Sequence, residues 1–115
     1  MSVDPNALRV ARRVAREAMA NGAEAVVLTG SHAIGRATAH SDIDLIAIVR
    51  QDPGAGWQGY SSRSGFLVSA DCRTPVRVRA AFRDPAKAVN YVPGWRDAVI
   101  LADPSGIAAR LQAEA

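Results

Sequence analysis

Two apolar runs constrain this chain more than anything else in it, because of what lies between them. Val26-Val27-Leu28-Thr29 is largely β-branched and unbroken, and Leu45 to Val49 is its counterpart. Runs of this length bounded by turn residues predict short strands. Gly30-Ser31 follows the first run at once, a small-residue segment comes next, and Ser41-Asp42-Ile43-Asp44 opens the second. A turn and a short helix are therefore expected between two strands, over about Ala25 to Val49. In the second strand side chains alternate, so Asp42 and Asp44 point one way while Ile43, Leu45, Ala47 and Val49 point the other. The result is a carboxylate pair at the mouth of a buried strand.

Two carboxylates so placed can share a hard divalent cation, and Mg²⁺ is usually held by one or two carboxylates together with substrate phosphates. Gly30-Ser31 supplies a complement. Glycine lets the backbone approach a ligand closely, and the amides that open a helix favour an anion. A phosphate cradle facing an acid pair suits a nucleoside triphosphate. Arg36, near the end of the expected helix at Ser31 to about Thr38, either favours the helix dipole or reaches a triphosphate.

Gly30-Ser31, ten residues, then Asp42-Ile43-Asp44 resembles the glycine-serine and aspartate pair of the DNA polymerase β-like nucleotidyltransferase superfamily, and most of all its minimal, antitoxin-like members. Val99 to Gly106, followed by Leu111, is similar to the tail of several such domains. The resemblance implies a Mg²⁺-dependent nucleotidyltransferase that uses an NTP, with ATP the expected donor. Asp42 and Asp44 would be catalytic metal ligands, and Gly30, Ser31, Arg36 and Ser41 would contact the nucleotide.

Rival motifs in the same segment fail on chemistry. Gly30 to Ala37 nearly fits a P-loop, but Arg36 stands in place of the lysine and Ala37 in place of the Mg²⁺-binding hydroxyl. A nucleophile elbow lacks its flanking glycines and a histidine following an acid in the required order. His32 and His40 do not have a familiar metal spacing, so surface or structural roles are expected for them.

At 115 residues the chain is expected to be a single domain, 1–115. Its net charge of +3 comes almost wholly from arginine and is too small to indicate a nucleic-acid partner. One cysteine, Cys72, precludes an internal disulfide and fits a reducing, cytoplasmic setting. No apolar run approaches the length of a membrane span.

Asp4-Pro5 and Asn21-Gly22 bracket a first helix over roughly Pro5 to Asn21, with Ala7, Val10, Ala11, Val14 and Ala18 on its apolar stripe. Gln51 to Gly65, with Pro53 and four glycines, reads as a loop in which Trp57 and Tyr60 either stack on a base or partner or anchor the loop. Phe66 to Ala70 and Pro75 to Phe82 read as a hairpin across Asp71-Cys72-Arg73-Thr74. A helix over about Pro85 to Tyr91, stopped by Pro93-Gly94, a strand at Ala98 to Ala102 and a helix from Asp103-Pro104 to about Ala113 complete the chain.

The fold expected is α+β: a mixed, mostly antiparallel sheet of about five strands with helices packed on one face. Relatives carry a third carboxylate in a later strand, and the matching slots here hold Arg77 or Arg79. Asp71 or Asp84 would supply it if the hairpin register is shifted. The function expected is transfer of a nucleoside monophosphate to an acceptor hydroxyl. Without the third acid, the alternative is a catalytically weak nucleotide-binding or antitoxin-like module acting through a toxin-like protein partner.

Overall fold

A computed structural model describes residues 3–51 and 59–115. The elements in chain order are α1 (Pro5–Ala20), β1 (Ala25–Thr29), α2 (Gly30–Ala33), β2 (Ile43–Ile48), β3 (Gly59–Arg63), β4 (Phe66–Arg73), α3 (Pro75–Arg83), α4 (Pro85–Arg96), β5 (Val99–Ala102) and α5 (Ile107–Glu114). The strands form one sheet in the order β3-β4-β2-β1-β5. Among the described residues β2 and β4 alone pair in parallel, and the other three pairings are antiparallel. The α+β class and the mixed, mostly antiparallel sheet are those expected.

The burial pattern of β1 and β2 shows where the layers lie. Val26 and Leu28 of β1 and Ile43, Leu45 and Ala47 of β2 pack with the stripe of α1, Ala7, Val10, Ala11, Val14 and Ala18 among it. Ala25, Val27 and Ile48 instead pack with Val78 of α3, Trp95 of α4 and Ile107, Ala108 and Leu111 of α5. The helices thus divide between the two faces, where a single helical face was expected. Sandwiching explains why Ala25 to Leu28 carries no polar residue: a strand covered on both sides loses its alternation.

Three helices start the same way. Asp4 accepts from Asn6 N, Thr74 from Arg77 N and Asp84 from Ala86 N, each followed by proline at the first helical position. The Thr74-Pro75 start corrects the expected strand Pro75–Phe82, which is helix α3. Val78 and Ala81, three residues apart, are its buried pair, whereas Val76 is 74% exposed.

The hairpin consequently moves upstream. Its strands are β3, inside the expected loop, and β4, which runs on through Asp71, Cys72 and Arg73 where a turn was expected. Ser64 and Gly65, both at positive φ, form the turn. Asp52 to Gln58, including Trp57, lies outside the described residues. Helix α2 stops at Ala33, short of Thr38, while α4 continues through Pro93 to Arg96. At the far end Asp103 accepts from Ala108 N and Ala109 N at 3.0 and 2.9 Å, which fixes the start of α5.

Candidate active site

The antiparallel pairing of β1 and β2 sets Thr29 opposite Asp44, so the residue that leaves β1 lands beside the second acid. That residue is Gly30, at φ +74. A Cβ built on it would lie 2.5 Å from Asp44 Oδ2, so only glycine fits, both for its backbone angle and for the carboxylate that occupies the space. Ser31 comes next, half-buried at the start of the four-residue α2.

Two contacts hold the segment between the turn and the acids. His32 is 2% exposed and its Nε2 lies 3.2 Å from the carbonyl of Ser41, which leads directly into Asp42. Its ring meets Phe66 edge to face, 6.1 Å between centroids. The structural role expected for this histidine is thereby given a form: it ties the Gly30-Ser31 turn to the strand of acids. Ser41 Oγ accepts from Thr38 N at 2.8 Å, so this hydroxyl braces the loop. Arg36 is exposed, and its backbone N–H donates to Ser31 O at 2.9 Å. Gly30, Ser31, Asp42 and Asp44 are thus gathered at one end of the β1-β2 pair, with Ser41 and Arg36 on the segment between.

Partial burial pushes the Asp44 carboxyl up from its usual range; the neighbouring Asp42 charge adds to the rise, and His32 opposes it. Two half-buried carboxylates in mutual repulsion, one of them set against the Gly30 backbone, fit a hard divalent cation such as Mg²⁺. Among the described residues no group of three or more His, Cys, Asp or Glu side chains is arranged around such an ion.

The reason lies in β4. Directly opposite Asp44 stands Ser69, and the acid of that strand, Asp71, stands opposite Ile46. Asp71 shares the sheet face of Asp44 but lies two residues, about 6–7 Å, farther along. There it is ion-paired with Arg73, whose guanidinium also donates to the carbonyl of Cys72 at 3.0 Å. Arg77 and Arg79 do not face the acids at all. Both are on α3, Arg77 exposed and Arg79 bonded to Glu114 at 3.0 Å. Asp84 is occupied as the N-cap of α4. Neither arginine therefore stands beside the acid pair, and the β4 position opposite Asp44 is held by Ser69 rather than by a third carboxylate. No helix among the described residues is long and apolar enough to cross a membrane.

The model of the nucleotidyltransferase domain family matches residues 11–104, from within α1 to just past β5. No curated protein matches the chain closely enough to be counted as a relative.

Proposed function

Since the chain belongs to the nucleotidyltransferase domain family, we propose that it moves a nucleoside monophosphate from an NTP, with ATP the expected donor, to an acceptor hydroxyl in a Mg²⁺-dependent reaction. The observation that carries this reading is the close approach of Asp44 Oδ2 to the empty Cβ position of Gly30. It sets the Gly30 turn against the Asp44 carboxylate, which supports a phosphate site beside a metal-binding acid.

Asp42 and Asp44 would hold Mg²⁺, which when bound neutralises charge on the attacking and leaving oxygens of an in-line displacement. The chain's own residues supply the positioning. Gly30 and Ser31 would present backbone amides and a hydroxyl to phosphate oxygens, and the missing side chain of Gly30 lets the Asp44 carboxylate lie against that turn. His32 keeps Ser41 and hence Asp42 in place. Arg36, exposed at the rim, is available to the outer phosphates. In the reaction the acceptor oxygen bonds to the α-phosphorus, the bond to the bridging oxygen breaks, pyrophosphate leaves, and the hydroxyl proton is released.

The test is calorimetric titration of ATP with Mg²⁺ into the parent, Asp42→Asn and Asp44→Asn proteins, alongside transfer assays with ATP labelled at the α-phosphate. Both variants should remain folded and lose Mg²⁺-dependent binding. Equal affinity in all three proteins sinks the assignment of the acids.

A further inference from the structure

On the side of the sheet away from Asp44, helix α1 and the turn between β3 and β4 border a hollow of about 230 Å³, lined by Asn6, Arg9, Val10, Arg13, Ser64 and Phe66. The two sides are set by β2, where Ile43, Leu45 and Ala47 pack with α1 and Asp44 alternates with them. Phe66 packs against that same α1 cluster. The hollow is therefore separate from the acid pair. Among the described residues no carboxylate lines it.

Arg9 and Arg13 stand four residues apart on α1, a spacing at which like charges repel. Glu17 lies four residues beyond Arg13, where a helix pairs opposite charges, yet it is used elsewhere. Both of its carboxylate oxygens accept from Arg63 of β3, at 2.7 and 2.8 Å. This ion pair has two consequences. Arg63 adjoins Ser64, so the β3-β4 turn is pinned to α1 as the far wall of the hollow. The helix's own carboxylate is also spent, and Arg9 and Arg13 have no ion pair among the described residues. Arg9 is steadied instead by Asn6, whose Oδ1 accepts from its guanidinium at 3.0 Å. Two guanidinium groups are thus held at one hollow with nothing in the fold to neutralise them.

We propose that this hollow binds a small phosphomonoester, at a site distinct from that of the donor nucleotide. A phosphomonoester carries about two negative charges at neutral pH, which two guanidinium forks match with charge-assisted N–H to oxygen bonds. The Asn6 amide and the Ser64 hydroxyl add neutral donors. Half-buried Phe66 gives the group that carries the phosphate an apolar wall. The site goes beyond nucleotidyl transfer, since it needs neither Mg²⁺ nor the acid pair. Arg12 and Arg16, also on α1, border a neighbouring hollow and not this one, so they separate a built site from general attraction of anions to the helix.

The experiment is calorimetry in EDTA and about 0.15 M salt, which screens charges outside the hollow, with phenyl phosphate and inorganic phosphate as probes. The proteins are the parent, Arg9→Gln, Arg13→Gln, Asp44→Asn and the double variant Arg12→Gln with Arg16→Gln. Phenyl phosphate should saturate one site on the parent with a Kd of about 1 mM or below, and inorganic phosphate should bind several-fold more weakly. Arg9→Gln and Arg13→Gln should each weaken phenyl phosphate by about tenfold. The double variant removes twice the charge and should change affinity by less than about twofold, as should Asp44→Asn. Glutamine is a good helix former and relieves the repulsion, so circular dichroism should match the parent throughout. A parent that shows no saturable binding up to about 10 mM overturns the site. An equal loss in the double variant does so too, by revealing a diffuse surface for polyanions. Equal affinity for the two probes overturns the phosphomonoester assignment, and loss of binding in Asp44→Asn overturns its separation from the donor site.

Discussion

Ile43 to Val49 and Val76 to Phe82 look alike as text and fold differently. Each sets an apolar residue at every second position, Ile43, Leu45 and Ala47 in one, Val76, Val78 and Ala80 in the other. The first is β2, with all three of those residues buried, while the second is α3, with only Val78 of its three buried. Alternation over five or six residues therefore does not decide between periods of 2 and 3.6 unless the boundaries are read as well. Asp42 opens β2 without a proline and with a β-branched residue next; Thr74-Pro75 opens α3 with a cap and a preset φ. The difference matters for function, because placing Val76 to Phe82 in a strand put Arg77 and Arg79 opposite the acids.

The sharpest way to break the comparison is in β2. Leu45 is 2% exposed and packs in the cluster under α1. Leu45→Ala should cost about 2–5 kcal/mol, read as a lower urea midpoint with an unchanged slope. A cost below about 1 kcal/mol would mean that the strand is not clamped between layers as described.

Gly30→Ala tests the join between β1 and β2. Alanine must adopt φ +74 and displace Asp44 Oδ2 from 2.5 Å. A loss of about 1–3 kcal/mol is expected, with a larger relative loss of Mg²⁺-dependent ATP binding, because the displaced group is the candidate ligand. Calorimetry on folded protein separates the two effects. If ATP affinity stays at the parent level, the packing of Asp44 against Gly30 has no part in binding.

Gly30, Asp42 and Asp44 were legible in the sequence because the cause of their placement is local. Gly30 follows an apolar run and Asp42 and Asp44 open another, so strand geometry alone aims both acids to one side. What was not legible depended on partners distant in sequence. The place of Asp71 comes from the β2-β4 register, which sets Ser69 and not an acid opposite Asp44. Strand β3 was hidden because Gly59 to Arg63 is weakly apolar; Arg63 reaches back to Glu17 of α1, with N–O distances of 2.7 and 2.8 Å, and no local pattern foretells that. The last turn of α4 was overlooked because Pro93-Gly94 is a stop signal in most contexts, and here tertiary packing carries the helix through it.

The cap of α3 offers a smaller effect. Thr74 accepts from Arg77 N at 3.3 Å. Thr74→Ala should destabilise by about 1 kcal/mol, and Thr74→Asp should restore most of it. Thermal unfolding of the two variants decides it. A null result for both would mean that Pro75 and the packing of Val78 suffice to start the helix.

The smallest expected effect discriminates best between the two periods. Val76 is 74% exposed and Val78 fully buried, though a strand would set both on one face. In α3, Val76 is the second helical residue, where a carboxylate meets the positive end of the helix dipole. Val76→Glu should therefore be neutral or stabilise by about 0.3–1 kcal/mol, an effect that added salt diminishes. In a strand with Val76 inward, the same change would bury a charge and cost several kcal/mol. Val78→Glu supplies the matched control, since it buries that charge in the described fold and should prevent stable folding. Denaturant midpoints that fall equally for the two variants would restore the strand, and with it the arginines opposite the acids.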